Sequence, residues 1–261
     1  MKLAANLGYL FTERPLLDRF EAAAQAGFKG VELLAPNELP TEQMVDIIGN
    51  AGVHLIQFNA AMGDWEAGQR GIGAIPGREG EFQDAIGEAL TFARALGNQQ
   101  LHVMSVVLED HIDPEIARSV LVNNLKFAAE ACAKEGIKAQ VEPINAIDMP
   151  GYILSTPRFG LEIMKDVGHP NLFLQYDIYH AQMTEGYLAE NIRQHVDVIN
   201  HIQIAGVPGR HEPNNGEINY SYLFDVIDEV GYQGWVSCEY KPYAGTLEGL
   251  GWAAPFGVTT G

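Results

Sequence analysis

The stretch EGIKAQVEPIN, Glu135–Asn145, changes its period at Gly136. Before that glycine, residues 113–136 (DPEIARSVLVNNLKFAAEACAKEG) repeat apolar positions at helical spacing, and after it comes a short apolar run of strand character. A glycine cap that ends a helix and leads directly into a strand accounts for the junction. The same junction recurs in AGFKGVEL (26–33), AGVHLIQF (51–58) and VGYQGWVS (230–237). Working outward, strand candidates lie at 3–9, 30–34, 54–60, 100–106, 138–144, 172–178, 200–206 and 235–241. Helix patterns fill the intervals at 14–27, 41–52, 82–97, 113–136, 155–168, 185–196 and 219–231. Eight such strands predict an α/β chain folded as one (β/α)8 TIM barrel over 1–261, with a C-terminal tail from about 244. An open dinucleotide-binding sheet would need G-x-G-x-x-G after the first strand, and NLGYLFTERP does not supply it.

Composition narrows the function classes. The 261 residues are 47% hydrophobic and 19% charged, and no apolar run approaches the roughly 20 residues that span a bilayer, so no membrane partner is expected. The opening MKLAANLGYLF reads as a first strand rather than a signal peptide, and the expected location is the cytoplasm. Cys132 and Cys238 have no ligand-like spacing and are expected to be reduced and buried. The formal charge of -18, from 34 acidic against 16 basic residues, repels a phosphate backbone, so no nucleic acid is expected as a partner. A small anion remains compatible, because a local Arg or Lys outweighs distant charge that salt screens.

Within the opening stretch, Glu142 stands near the end of an apolar strand, where an unpaired charge costs several kcal/mol. The next three strands close in the same way, on Asp177, Gln203 and Glu239. In a TIM barrel the active site lies at these C-terminal strand ends. Stepping back two residues gives Gln140, Gln175, His201 and Ser237, all polar, while the intervening Val141, Tyr176, Ile202 and Cys238 are largely apolar. Side chains two apart share a face, so all four strand-end residues are expected to point into the barrel above a polar layer. Three carboxylates and an amide oxygen are hard ligands that suit a divalent cation, Mg²⁺ foremost or Mn²⁺.

The motifs AANLGYLFTE (4–13), AIPGREGEF (74–82), LHVMS (101–105), VEPIN (141–145), QYDIYHAQ (175–182), HIQIAGVPGRHEPNNGEINY (201–220) and DEVGYQGWVSCEYKP (228–242) run through nearly the whole chain. With them the sequence resembles the hydroxypyruvate isomerase family of xylose isomerase-like TIM barrels, especially its 2-oxo-tetronate isomerase branch. The resemblance implies one divalent metal held by Glu142, Asp177, Gln203 and Glu239, with Glu142 and Glu239 also exchanging protons with substrate carbon. Gln203 stands where ketose epimerases carry His, which fits the hydroxypyruvate isomerase branch. The implied activity is that of an aldose-ketose-type isomerase. It interconverts a small 2-oxo acid and its aldehyde isomer, hydroxypyruvate and tartronate semialdehyde or a 2-oxo-tetronate pair, through an enediolate. Which Glu removes the proton is left open.

A substrate carboxylate needs a cation, and Arg210, Arg78 and Lys241 are the candidates. His180, three residues after Asp177, either bonds a substrate hydroxyl or orients Asp177; His102 and Asn6 are further substrate-binding candidates. The glycine-rich segment 62–82 is expected to form a lid. The tail is expected to pack under the barrel or against a second copy in a homo-oligomer, with residues 257–261 mobile. The alternative functions are a ketose 3-epimerase, which uses the same acids on neutral sugars, an apurinic endonuclease-like barrel, and a binding barrel without catalysis.

Overall fold

The structure is a computed structural model that describes residues 1–35 and 40–259. Its centre is a sheet of parallel strands: β1 (Lys2–Asn6), β2 (Gly30–Glu32), β3 (His54–Gln57), β4 (Asn59–Ala60), β5 (Gln100–Val103), β6 (Lys138–Val141), β7 (Leu172–Asp177), β8 (Ile199–Ile204) and β9 (Trp235–Cys238). Neighbours follow the order β3-β2-β1-β9-β8-β7-β6-β5-β4. The third expected strand is broken at Phe58 into β3, which pairs with β2, and β4, which pairs with β5. This single length of chain therefore joins both edges of the sheet, and the ring has eight staves with one broken.

Around the ring lie α1 (Leu16–Gln25), α2 (Thr41–Ala51), α3 (Glu79–Leu96), α4 (Pro114–Lys134), α5 (Pro157–Val167), α6 (Ile178–Thr184), α7 (Leu188–His195) and α8 (Tyr220–Glu229). Local chemistry starts and stops them. The Asp113 carboxylate accepts the N–H groups of Glu115 and Ile116 at the start of α4, and Thr156 accepts that of Phe159 at the start of α5, each with proline at the first helical position. Gly136, the pivot of the opening stretch, has φ 69 and lets the chain turn from α4 into β6. The expected strand 172–178 is one residue shorter, because the Asp177 carboxylate accepts the Tyr179 N–H at 2.8 Å and begins α6 at once.

Strand alternation sorts the two faces. Ala139, Val141, Leu174, Tyr176, Ile202 and Val236 are buried among the core hydrophobic residues. The inward set, Gln57, Gln140, Gln175, His201 and Ser237, is equally buried and polar, so this layer of the barrel is filled by polar side chains instead of the usual branched aliphatics, with the glutamines and His201 hydrogen-bonded.

The tail forms α9 (Thr246–Gly249) and a 3₁₀ segment, Leu250–Phe256. Thr246 Oγ1 accepts the Phe11 N–H at 2.7 Å, and Trp252 stacks on Phe224 of α8 with centroids 6.0 Å apart. The tail thus packs on its own barrel. The expected mobility from residue 257 does not hold as far as Thr259, since Val258 is buried and the Thr259 N–H reaches the Ala26 carbonyl at 2.9 Å; residues 260 and 261 lie outside the described residues. Among the described residues no helix is long and apolar enough to cross a membrane.

Candidate active site

The strand ends of β6 to β9 open into a cleft of about 570 Å³. Glu142, one residue past β6, and Glu239, one past β9, line it beside Gln203 of β8. Asp177, whose side chain is fully enclosed, reaches the same cluster from the end of β7. One ligand atom each from Glu142, Asp177 and His180 lie within 4.8 Å of one another. Glu142 Oε1 is buried and has no hydrogen-bond partner, an orphan acceptor that asks for a donor or a cation.

Arg210 is the cation among these acids. Its Nη2 donates to Asp177 Oδ2 at 3.0 Å and to Glu239 Oε1, and its guanidinium lies between the rings of Tyr9 and Tyr179, 4.9 Å from each centroid. The backbone there is left-handed, φ 58, and the Arg210 carbonyl accepts the Lys241 N–H at 2.7 Å. That bond brings the loop after β8 against the chain leaving β9. Lys241 is exposed on the same rim.

His180 sits on the first turn of α6, so its spacing from Asp177 is set by the cap of that helix. Its tautomer follows from Asn145. The Asn145 Oδ1 accepts the N–H groups of Ile147 (3.0 Å) and Asp148 (2.9 Å), which leaves the amino group facing His180 Nδ1 at 2.6 Å. Nδ1 is therefore the acceptor, and the proton of the neutral ring is on Nε2, 3.7 Å from Glu142 Oε1 and 3.5 Å from Asp177 Oδ2. On the opposite side His102 Nδ1 lies 2.8 Å from Asn59 Oδ1 and 3.7 Å from Glu142 Oε2. Asn6 donates to Glu239 Oε2 at 2.8 Å and to Glu32 Oε2 at 3.0 Å.

Gln203 belongs to the cluster: its oxygen accepts from Gln175 at 2.7 Å, while its amino group donates to Glu239 and, at 3.1 Å, to Glu32. Arg78 does not line the cleft; it pairs with Glu81 at the start of α3. The loop between β4 and α3 contributes Trp65 to the cleft wall and is tied at its base, where the Gly73 N–H meets the Ser105 carbonyl at 2.7 Å and the Val107 N–H meets that of Arg70 at 3.0 Å. Sequence reasoning did not single out Tyr9, Tyr179, Asn145 or Glu32. Glu32 was within its reach: it ends the second strand as the other acids end theirs, and in the structure it is fully buried against His201, Asn6 and Gln203.

Burial dominates the acid-base character of the site. It raises Glu142 well above the ordinary carboxylate range, reinforced by Glu239 and Asp177. It raises Asp177 despite the opposing Arg210 and two backbone N–H groups. Glu239 is pushed up to about 8, by burial against the pull of Arg210 and with Asp177 and Glu32 adding to the rise. Burial also holds His102 down at about 3, and burial together with Arg210 depresses His180, so both rings are neutral at pH 7. Arg210 stays charged, its desolvation outweighed by Glu239 and Asp177. Converging oxygens with an orphan acceptor and raised proton affinities suit a hard divalent cation, which would replace the protons they hold.

The xylose isomerase-like TIM barrel family matches residues 20–256. The chain is 47% identical to the 2-oxo-tetronate isomerase of Cupriavidus necator, over 98% of each protein. It is 44% identical to the hydroxypyruvate isomerase of Escherichia coli K12, over 98% of this chain and 99% of that one. A crystal structure from Brucella melitensis, described as AP endonuclease, family 2, superposes with a TM-score of 0.95 at 42% identity, covering 98% of both chains. On its family match, its full-length relatives and its ring of strands, this chain belongs to the xylose isomerase-like TIM barrel family.

Proposed function

We propose that the chain is an isomerase of small 2-oxo acids, interconverting hydroxypyruvate with tartronate semialdehyde or a 2-oxo-tetronate with its aldehyde isomer. One observation carries the reading: Glu142 and Glu239 line one cleft, the buried Asp177 lies beside Glu142, and Arg210 bonds both Asp177 and Glu239. Full-length relatives named for these two isomerases support it. A divalent cation, Mg²⁺ in the first instance, would be held by Glu142, Asp177, Gln203 and Glu239, and would supply electrostatic stabilisation of oxygens that gain negative charge.

The residues of the chain do the rest. One of Glu142 and Glu239, as carboxylate, takes the proton from the hydroxymethyl carbon of the 2-oxo acid. The bonding pair becomes the carbon-carbon double bond of an enediolate, and the proton returns to the neighbouring carbon. The hydroxyl proton passes in the same sense, from the alcohol oxygen to the ketone oxygen, leaving an aldehyde where the alcohol stood. Two carboxyls of raised proton affinity are matched to this traffic near neutral pH. The His180 Nε2–H would donate to a substrate oxygen in the cleft; its tautomer and its place in the cleft wall support that role. Lys241 on the rim and Arg210 within are the cations for the substrate carboxylate, and an acid substrate favours isomerase over the neutral-sugar epimerase. The charge of -18 weighs against an endonuclease, which would need a basic face.

Proton NMR in D₂O tests the reading, with hydroxypyruvate and 2-oxo-tetronate as substrates and Mg²⁺ or EDTA added. The expected result is metal-dependent aldehyde formation with deuterium uptake, lost in Glu142→Gln and in Glu239→Gln. Exchange of a neutral ketose in place of either acid would transfer the site to the epimerases.

A further inference from the structure

The other mouth of the barrel, where the strands begin, holds a second cavity of about 630 Å³. Lys138 and Trp235 stand two residues before Gln140 and Ser237, so they share the inward face and line it, together with Lys2 of β1, Gln100 of β5 and Asn200 of β8. In a chain of charge -18, this lining carries Lys2, Lys138 and His54 against one acid, Asp197. The two ammonium groups are drawn toward neighbouring strands. Lys138 Nζ reaches Asn200 Oδ1 on β8 at 2.8 Å, and Lys2 Nζ lies 5.1 Å from the ring centroid of Trp235 on β9. Tyr232 ties those two positions together, its hydroxyl lying 3.0 Å from the Asn200 carbonyl oxygen and 3.1 Å from that of Trp235. Among the described residues neither ammonium is paired with a carboxylate.

An unused donor lies beside them. An ammonium only donates, so Lys138 takes the oxygen of Asn200 and leaves its amino group to donate to Gln100 Oε1, 2.8 Å away. Gln100 is thereby turned so that its amino group is free, and this Nε2 is buried without a partner on a residue only 9% exposed. A buried donor left without an acceptor is costly. A water would satisfy the donor alone; two lysines of like charge on the same cavity select an occupant that is negative. We propose that this mouth of the barrel binds a small oxyanion, a carboxylate or a phosphate, held by Lys2, Lys138 and the Gln100 amino group. The site is separate from the cleft at the strand ends, with which it shares no lining residue. It lies on the face of a TIM barrel that serves stability, and an anion there would join the starts of β1, β5 and β6. Nothing in it depends on the isomerase reading.

The test is a titration read by NMR on the ¹⁵N-labelled side-chain amide of Gln100, its signals identified by their absence in Gln100→Met. Inorganic phosphate is added in one arm, malonate in the other, and chloride at equal ionic strength serves as the blank. A saturable shift, half complete below about 10 mM in at least one arm, is expected, and the arm that saturates first tells a phosphate site from a carboxylate site. Lys2→Met changes an exposed residue and leaves the Gln100 amide in place, so it should fold and raise the half-saturating concentration about three- to tenfold. At saturating anion the melting temperature of the wild type should rise about 2–5 °C further than that of Lys2→Met. Lys241→Met, on the rim of the cleft, should leave the titration as it is. A Gln100 signal unmoved in both arms, a shift not half complete by about 10 mM or reproduced by chloride, or a titration weakened by Lys241→Met and untouched by Lys2→Met would overturn the proposal.

Discussion

At the scale of residues, Asn145 decides which nitrogen of His180 carries the proton, and the decision is made by the backbone N–H groups of Ile147 and Asp148 on the cleft wall. Asn145→Asp keeps an oxygen for those N–H groups and replaces the amino group by an acceptor. His180 must then place its proton on Nδ1 and present a bare Nε2 to the acids. The expected outcome is a folded protein whose ¹⁵N imidazole shifts report the other tautomer and whose kcat is about 10- to 100-fold lower, as for other partners one step behind a site. The acids themselves were legible in the sequence, because an ionisable residue at the end of an apolar strand needs a reason and Glu142, Asp177 and Glu239 repeat the anomaly. Tyr9, Tyr179 and Asn145 were not, because their roles arise where separate loops meet and leave no period in the chain. Arg78 shows the converse: its composition suits a substrate carboxylate, yet the neighbouring Glu81 claims it.

Among elements, the loop from β4 to α3 carries Trp65 to the cleft wall, with the Arg70 guanidinium 3.8 Å above its ring. Gly71 sets the loop on the wall: at φ 91 its N–H bonds the Met62 carbonyl at 2.8 Å, and a Cβ there would stand 2.3 Å from the Ser105 carbonyl oxygen. Gly71→Ala should therefore lower stability by about 1–3 kcal/mol in urea unfolding and raise KM more than it lowers kcat, as Trp65 loses its seat. Gly68→Ala is the control, since its φ of 89 is strained but its Cβ would meet nothing within 4 Å, so the loop should stay docked. The strands and most helices were readable from glycine junctions and periodicity. The break at Phe58 and the helix α6 were not, since a register change between strands and an Asp cap used at once are settled by partners.

For the whole molecule, the crowded acids make stability depend on pH in an uncommon sense. A carboxyl that binds its proton more tightly folded than unfolded weakens folding as pH rises between the two values, the reverse of an ordinary salt-bridged acid. Glu142, Asp177 and Glu239 all lie on that side, Glu239 at about 8. The depressed His102 and His180 act oppositely, but only below about 6.5, the unperturbed imidazole value. From pH 6.5 to 8, urea unfolding of the metal-free protein should therefore show stability falling. Mg²⁺ should raise the midpoint and flatten that slope, because the cation takes the place of the protons. A slope unchanged by Mg²⁺ would mean that these carboxyls do not hold it. The broken stave carries a further consequence. The ring closes through only two residue pairs, Asn59 with His102 and Ala60 with Val103, and the side chains of the first pair also bond each other. His102 faces Glu142 across the cleft, so an occupant that engages it adds a rivet to the thinnest seam of the wall. Amide hydrogens that cross this seam, those of His102 to Phe58 and Met104 to Ala60, should gain the most protection from deuterium when a 2-oxo acid binds. The barrel would be sealed by its own substrate.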